Sequence, residues 1–356
     1  MVTFWQLSLT VHSIPFSPSQ IIFRQSCWGN CSAESKQNII GKIWDARKPS
    51  TVTKYCQALR KFFSFCSTKS FEICLPINSL FLADYLSHIS KSKGTIGAVT
   101  SAVTALKWLH SFIPGLNQAN DPLNDCFINR IAEGQKRNLI KEKTRKKPLT
   151  FDLIKQIFIN FSKIKKPSLI QMRDTLIPSL AYALLLRHDE ISHLNCSHIS
   201  HSINGFRFHI PSSKTDIYRQ GKNVFLSNDN TSLCALLLDY LSKTVLKLGD
   251  NHFLFTPIEY DCKKNEQVIK NMKLSYSTYR SIVKKAVSNL GIDPKDFSTH
   301  SCRAGGATDL APYISQYELL LTGRWADPRS IGSYVETPDE RRFQISKTLN
   351  LNFQQN

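Results

Sequence analysis

The sequence is short of acidic residues: 27 Asp and Glu stand against 46 Lys and Arg, which leaves a formal net charge of +19 over 356 residues. It also has few glycines and prolines, 14 and 15, which excludes a collagen-like or low-complexity chain. A hydrophobic content of 42% is typical of a folded protein, and the length favours two domains. The excess of cations predicts a polyanionic partner, either a nucleic acid or a membrane surface.

Long hydrophobic runs are missing as well. No stretch reaches the ~18 apolar residues that cross a bilayer, so we expect no membrane-spanning segment and no membrane partner. The apolar start, residues 1–16, has no basic segment before it and contains Pro15, which disfavours a signal peptide. We expect residues 1–45 to form a disordered N-terminal extension.

The 10 cysteines are scattered singly along the chain, which favours buried, reduced thiols over disulfides. A zinc site could use Cys27 with Cys31, or Cys196 with His198 and His201. Neither group has a second pair of ligands at finger spacing, so we predict no metal.

Helical periodicity dominates residues 46–138, for which we predict a small all-helical domain. Apolar residues recur at steps of three and four from Thr51 onward. Pro76 is suited to the first turn of a second helix, and Thr95 is a candidate N-cap of a third. A fourth helix is predicted after Pro122.

Residues 135–148 form a run rich in cations, which we call the basic run. Residues 139–149 are predicted to be a basic linker. The run is typical of a solvated connection, which is compatible with a path along a phosphate backbone. Seven cations in it are candidate DNA ligands: Lys136, Arg137, Lys141, Lys143, Arg145, Lys146 and Lys147.

The second half, residues 150–345, is predicted to be a separate domain, followed by a tail over 346–356. Its pattern indicates mostly helices with a few strands, so the fold class is mainly α with a small antiparallel β-sheet (α+β). The expected elements are a helix from Thr150, a long buried helix over 168–188, strands at 206–210, 222–226 and 252–255, and helices from Tyr276 onward.

Two short patterns in this half place cations where a phosphate could bind. Arg187 is predicted to end the buried helix, and its planar guanidinium suits a phosphate, although taken alone a structural ion pair with Glu190 explains the pattern better. His300 and Arg303 lie one helical turn apart, so an imidazole and a guanidinium share one face. The small residues at 304–307 allow another element to pack closely.

Three further residues complete an ordered set, although each is ordinarily structural: Lys214 in a turn between strands, Trp325, and Tyr334 nine residues later. In this order, the set resembles the active-site signature of the tyrosine recombinase (phage integrase) family. The resemblance extends over about residues 46–345. It implies that residues 46–138 are the family's helical core-binding (SAM-like) domain, which binds DNA, and that residues 150–345 are the catalytic domain. The sequence from His300 to Thr308 most resembles that of recombinases from eukaryotic mobile elements of the Crypton and DIRS-like groups.

The resemblance implies a site-specific DNA recombinase in which Tyr334 attacks a phosphodiester and forms a 3′-phosphotyrosyl bond. It implies no metal or nucleotide cofactor, because the covalent bond conserves the energy needed for rejoining. The implied supporting roles are phosphate binding by Arg187, Arg303 and Trp325, proton uptake by His300, proton delivery by Lys214, and orientation of Arg187 by Glu190.

Double-stranded DNA is the implied partner, together with self-association into a dimer or tetramer on DNA. For a eukaryotic host, the implied location is the nucleus. Two other functions stay open: a type IB topoisomerase, and a domesticated DNA-binding protein without catalysis. Tyr313 and Tyr317 are the spare candidates for the nucleophile.

Overall fold

The computed structural model describes residues 32–71, 75–92, 94–113, 115–140, 145–213, 216, 220–261, 266–336 and 339–347. The chain divides into two compact units between Lys143 and Thr144, within the predicted linker 139–149. We call them the helical unit and the catalytic unit. Three predicted site residues, Lys141, Lys143 and Lys214, lie outside the described residues, as do residues 1–31 and 348–356.

The helical unit contains five described α-helices, with apolar faces of α2 packed on α4 and of α3 on α5. The predicted cap of the third helix pattern is confirmed, because Thr95 Oγ1 accepts a hydrogen bond from the Ala98 N–H at 3.1 Å. The helices are α1 Ala33–Asp45, α2 Pro49–Thr68, α3 Ser79–Lys91, α4 Ile96–His110 and α5 Cys126–Asn138.

Two predictions for this unit are wrong in detail. Residues 33–45 form a helix that contacts α2, whereas we expected disorder up to residue 45. Its apolar pattern is too short to distinguish from chance in the sequence. The helix expected from Pro76 begins at Ser79 instead, because the Asn78 side chain accepts a hydrogen bond from the Leu80 N–H and so caps the helix three residues later.

The buried polar pair of the helical unit is His110 with Asp121. His110 is 1% exposed, its Nδ1 lies 2.7 Å from Asp121 Oδ1, and its Nε2 accepts a hydrogen bond from the Ile77 N–H at 2.9 Å. Because Nε2 accepts, the ring is neutral. Burial lowers the pKa of His110, and the bond to Asp121 only partly opposes this.

The catalytic unit is built around α7, which packs against four other helices: α6, α9, α10 and α11. Its helices are α6 Phe151–Ser162, α7 Leu169–Ala183, α8 His188–Ser192, α9 Thr231–Thr244, α10 Tyr276–Ser288, α11 Ser301–Leu310, α12 Gln316–Gly323 and α13 Asp339–Lys347. Its strands are β1 Ile199–Ser202, β2 Gly205–Ile210, β3 Lys222–Ser227, β4 Ile258–Asp261 and β5 Glu266–Ile269.

The strands form two antiparallel sheets, β1-β2-β3 and β4-β5, so the predicted class of a mainly helical fold with a small antiparallel sheet is confirmed. Strands β2 and β3 lie where they were predicted. The strand expected at 252–255 is reduced to an isolated bridge between Asn195 and Phe253. Within the described part of the chain, no helix is both long and apolar enough to span a membrane.

The long helix predicted over 168–188 is wrong at its end. Helix α7 stops at Ala183, and Leu185 adopts a left-handed backbone with φ of 49°. All three residues at 184–186 stay buried, so the apolar pattern continues although the helix does not. Neither glycine nor proline marks the stop, which is why the sequence pattern misses it.

Candidate active site

Glu190 lies at the centre of the candidate site and is 4% exposed. Its Oε1 accepts a hydrogen bond from Arg187 Nη1 at 2.7 Å, and its Oε2 accepts one from Arg324 Nη2 at 2.8 Å. Arg303 Nη1 lies 4.0 Å from the same Oε2. Burial acts to raise the pKa of Glu190, but the guanidiniums of Arg324 and Arg187 outweigh it and hold the pKa below its usual value. One ionised carboxylate therefore holds Arg187, Arg303 and Arg324 together, and we call these three residues the arginine cluster.

The backbone turn after α7 supplies the other acceptors. The carbonyl oxygen of Leu185 accepts hydrogen bonds from Arg303 Nη1 and from Arg324 Nη2. The carbonyl oxygen of Leu184 accepts a further bond from Arg324 Nη1 at 3.3 Å. A left-handed leucine is an unfavourable conformation, and these bonds to buried cations explain why it persists at Leu185.

Arg187 is the most accessible of the three guanidiniums. It is the N-cap residue of α8 rather than the end of α7, and its N–H donates to Glu190 Oε2 at 2.9 Å. Its side chain is 14% exposed, compared with 1% for Arg303 and 3% for Arg324. The ion pair that we considered as the structural alternative is therefore present, and it leaves part of the guanidinium open to solvent.

Arg303 is stacked against two aromatic rings. Its guanidinium carbon lies 4.3 Å from the ring centroid of Trp325 and 5.3 Å from that of Tyr334, and the two ring centroids are 5.2 Å apart. Burial and then the charge of Arg187 lower the pKa of Arg303, but an arginine retains its proton. The three predicted residues Arg303, Trp325 and Tyr334 therefore lie together.

Two buried N–H donors at this stack lack an acceptor. Arg303 donates through both terminal nitrogens, to Leu185 and Gly323 carbonyl oxygens, but its Nε–H has no partner among the described residues. Trp325 Nε1 is likewise buried without a partner there. Unpaired buried donors are costly, so a pair of them indicates a place for an acceptor supplied by a ligand.

Helix α11 brings His300 and Arg303 to the site. His300 is the N-cap residue and is exposed, with its ring centroid 6.4 Å from that of Tyr334. The small residues that follow permit the close packing that we predicted: a Cβ on Gly305 would lie 1.8 Å from the Leu149 carbonyl oxygen, and one on Gly306 would lie 2.3 Å from the Tyr182 carbonyl oxygen. Helix α11 is thus fixed directly against other backbone segments.

Tyr334 follows a short 3₁₀ helix, Pro328–Ser333, and its N–H donates to the Ile331 carbonyl oxygen at 2.8 Å. The residue is partly buried. The spare candidates Tyr313 and Tyr317 are 85% and 69% exposed. Neither is among the described hydrogen-bond or ring partners of Arg187, Arg303 and Arg324. Tyr334 is accordingly the tyrosine that the described structure brings to the cluster.

Three described cations of the basic run contact other groups of the protein. Lys136 pairs with Glu133 at 2.6 Å, Lys146 donates to the Lys295 carbonyl oxygen at 2.6 Å, and Lys147 pairs with Asp296 at 2.7 Å. Arg137 is exposed near the end of α5. These contacts neutralise few of the charges, and the DNA-binding role assigned to the run stays a prediction.

Sequence reasoning assigned no role to Arg324 and His188. Arg324 is 4% exposed and ends α12 with a left-handed φ of 56°. The available sequence signal for a role of Arg324 was its position between Gly323 and Trp325. His188 has a buried Nε2 without a partner among the described residues, and burial lowers its pKa. No sequence signal separates it from an ordinary histidine.

No group of three or more His, Cys, Asp or Glu side chains within the described ranges could hold a metal ion. The side chains at the site provide several guanidiniums, two N–H donors without a partner among the described residues, an imidazole and a phenol. This combination suits the recognition of a dianionic or monoanionic phosphate and nucleophilic attack on it.

Several known proteins are similar to this chain. A xerD homolog from Selenomonas ruminantium, described as an integrase/recombinase, is 22% identical over 266 residues, which cover 74% of each chain. The structure of XerH recombinase in a post-cleavage complex with its difH substrate aligns over 96% of this chain and 92% of that one, with a TM-score of 0.62 and 17% identity.

The Tn1549 transposon integrase bound to transposon right-end DNA aligns over 94% of this chain and all of that one, with a TM-score of 0.57 and 10% identity. At these identities the structural likeness shows a shared fold. Residues 147–336, more than half of the chain, match the phage integrase family, and this range includes the whole arginine cluster and Tyr334. The chain belongs to the phage integrase family of tyrosine recombinases.

Proposed function

We propose that this protein is a site-specific DNA recombinase that cuts and rejoins double-stranded DNA through a covalent bond to Tyr334. The observation that carries the proposal is the stack of Tyr334, Arg303 and Trp325, in which two buried donors have no acceptor among the described residues. A phosphodiester supplies the acceptor oxygens and, at the same place, the phosphorus that a tyrosine can attack.

In the proposed reaction, Tyr334 Oη attacks phosphorus and the bond from phosphorus to the 5′-oxygen breaks. The products are a 3′-phosphotyrosine and a free 5′-hydroxyl. Arg187 and Arg303 stabilise the charge on the non-bridging oxygens, and Trp325 Nε1 donates to the same phosphate. The 5′-hydroxyl of a second DNA strand then attacks the phosphotyrosine, which rejoins the DNA and regenerates Tyr334.

Two proton transfers accompany the attack. A tyrosine has a usual pKa of ~10, so its proton has to be accepted as the bond forms. His300 is the proposed acceptor, since it is exposed and near the Tyr334 ring. Lys214, which lies outside the described residues, is the proposed donor to the 5′-oxygen. Glu190 takes no proton and instead holds the guanidiniums in position.

Three observations support duplex DNA as the substrate. Among the similar structures, XerH is bound to its difH substrate and the Tn1549 integrase to transposon right-end DNA. The net charge of +19 favours a polyanion, and the basic run supplies exposed cations. The proposed assembly is a dimer or tetramer on DNA, since recombination joins two duplexes.

A two-site assay tests the reaction class. Duplexes enriched by binding from a random pool should be joined in pairs by the wild-type protein, giving recombinant products. Relaxation of a supercoiled plasmid without recombinants would instead identify a type IB topoisomerase. DNA binding without any cleavage would identify a domesticated binding protein.

The proposal includes an origin in a mobile element and, for a eukaryotic host, action in the nucleus. The resemblance of residues 300–308 to recombinases of eukaryotic elements supports it. The test is the DNA that flanks the coding region: terminal repeats or an adjacent reverse transcriptase are expected. Flanks without repeats, in a conserved host locus, would contradict the mobile-element origin.

A further inference from the structure

We infer that Arg145 and Thr308 form a clamp on the backbone around Tyr334 and position this residue for attack. The inference rests on the proposed nucleophilic role of Tyr334 and adds two positioning residues to it. The hydrogen bonds of both residues go to the backbone rather than to the Tyr334 ring. Both act on peptide groups of residues 332–336, and we call this stretch the nucleophile segment.

Arg145 holds the nucleophile segment on both sides of Tyr334. Its Nη2 donates to the Gly332 carbonyl oxygen at 3.3 Å and to the Val335 carbonyl oxygen at 3.2 Å. A planar guanidinium fixes two acceptors in one geometry, which a single flexible donor does less well. One side chain therefore sets the spacing between the peptide groups that flank the proposed nucleophile.

Thr308 holds the same segment from α11. Its Oγ1 accepts a hydrogen bond from the Glu336 N–H at 3.0 Å and donates to the Tyr334 carbonyl oxygen at 3.4 Å. Arg303 lies earlier on the same helix, so Thr308 links the nucleophile segment to the element that carries a phosphate-binding arginine. The side chain is partly buried and uncharged.

These bonds matter because, apart from the packing of Tyr334 and Val335, few other bonds among the described residues fix the segment. In the nucleophile segment, the amides of Tyr334 and Val335 both bond to the single carbonyl of Ile331, and Gly332 has no Cβ contact that limits its conformation. Displacement of a reacting group by about 1 Å can cost ~10²-fold in rate, so clamps of this kind affect catalysis without touching the substrate.

Arg145 also belongs to the basic run, so a contact with a DNA phosphate is the competing explanation of its role. The two explanations differ in what they change. A phosphate contact contributes to DNA affinity and to its salt dependence. A positioning contact changes the rate of cleavage in DNA that is already bound. Thr308 carries no charge, so only the clamp predicts that it behaves as Arg145 does.

The experiment compares Arg145→Ala, Thr308→Val and their double variant in the full-length protein. Each single variant should lower the single-turnover rate of covalent adduct formation at saturating DNA by roughly 10- to 100-fold. The double variant should lose less than the product of the two effects, because both side chains hold one segment. Thr308→Val should leave the DNA dissociation constant within about twofold of wild type.

Two matched controls and one independent readout complete the design. Lys243→Ala removes an exposed cation that pairs with Asp239 in α9, and Thr308→Ser keeps the hydroxyl; both should keep the wild-type rate at saturating DNA. Hydrogen exchange of the amides of residues 334–336 should accelerate in Arg145→Ala and Thr308→Val but not in the controls. Thermal unfolding verifies that each variant is folded.

The clamp is overturned if Arg145→Ala weakens DNA binding but reacts at the wild-type rate when saturated, while Thr308→Val behaves like Thr308→Ser. It is also overturned if exchange of the amides of residues 334–336 is unchanged. Failure of the proposed function has a different signature: the wild-type protein forms no adduct, or forms one through another tyrosine. The exchange result still decides the clamp in that case.

Discussion

The two units bury different kinds of residue. In the described part of the helical unit, the buried titratable side chains are those of His110, Tyr85, Cys56 and Cys66, and the direction of each pKa shift keeps them neutral. The catalytic unit buries the ionised side chains of Glu190, Arg303 and Arg324 within one cluster. Burial of charge costs free energy unless the charges are paired and hydrogen-bonded. The contrast indicates that the helical unit is built for stability, whereas the catalytic unit accepts a cost in order to present cations to a ligand.

The largest effect that tests this contrast is expected from Glu190→Gln. The substitution leaves the guanidiniums around it without a buried counter-charge, so the catalytic unit should lose about 3–5 kcal/mol of stability, together with its activity. Segment-resolved hydrogen exchange under mild denaturant measures each unit separately. Glu133→Gln, which breaks the exposed pair with Lys136 in the helical unit, is the control and should leave exchange unchanged.

A slightly smaller effect is expected from Trp325→Phe, which keeps an aromatic ring but removes a buried N–H donor. Because Nε1 has no partner among the described residues, its loss leaves no acceptor of the protein unpaired. Adduct formation should slow by roughly 10²- to 10³-fold if this donor stabilises the transition state. Single-turnover kinetics at saturating DNA measure the effect.

Trp325→His is the matched rescue variant, because an imidazole supplies an N–H donor of similar reach. It should recover part of the rate that Trp325→Phe loses. Equal rates for wild type and Trp325→Phe would show that the unpaired donor does not meet the phosphate.

The two units should also respond in opposite ways when a helical glycine is replaced by alanine. Gly305→Ala in α11 forces a Cβ against the Leu149 backbone and should destabilise the catalytic unit by about 1–3 kcal/mol. Gly134→Ala in α5 meets no atom within 4 Å and should stabilise the helical unit by about 0.5–1 kcal/mol. Denaturant unfolding of both variants measures the difference. Equal responses would contradict the close packing of α11.

The smallest effect concerns pH and the helical unit. His110 has a lowered pKa in the folded state, so between that value and ~6.5 the unfolded chain binds a proton that the folded unit does not. Stability is therefore complete above pH ~6.5 and falls as the pH drops, by at most about 1.4 kcal/mol per pH unit. Unfolding of the helical unit at several pH values measures the slope. His110→Gln should flatten the slope, and an unchanged slope in that variant would assign the effect to another group.

The candidate site is largely predictable from the sequence because its parts are local. Arg187 with Glu190, and His300 with Arg303, are one helical turn apart, and the interval from Trp325 to Tyr334 is short. Residues at these spacings lie close together because of local backbone geometry, independently of the tertiary fold. The structure adds that these separate pieces meet, which no local pattern contains.

The features that the sequence does not show depend on contacts between distant residues. The turn at Leu185 is stabilised by Arg303 and Arg324, far along the chain, while its own sequence is uniformly apolar. The bonds from Arg145 to the nucleophile segment are equally non-local. An arginine in a basic run looks the same in the sequence whether it meets a phosphate or a carbonyl group, so only the fold separates the two.

The central claim is that Tyr334 becomes covalently linked to DNA, and the most direct measurement is adduct formation on a nicked duplex that traps the cleaved state. Wild-type protein should give a denaturant-resistant adduct whose digested peptide carries the nucleotide on Tyr334. Tyr334→Phe should bind the same duplex with equal affinity and form no adduct. An adduct that persists in Tyr334→Phe, or that maps to Tyr313 or Tyr317, would contradict the account.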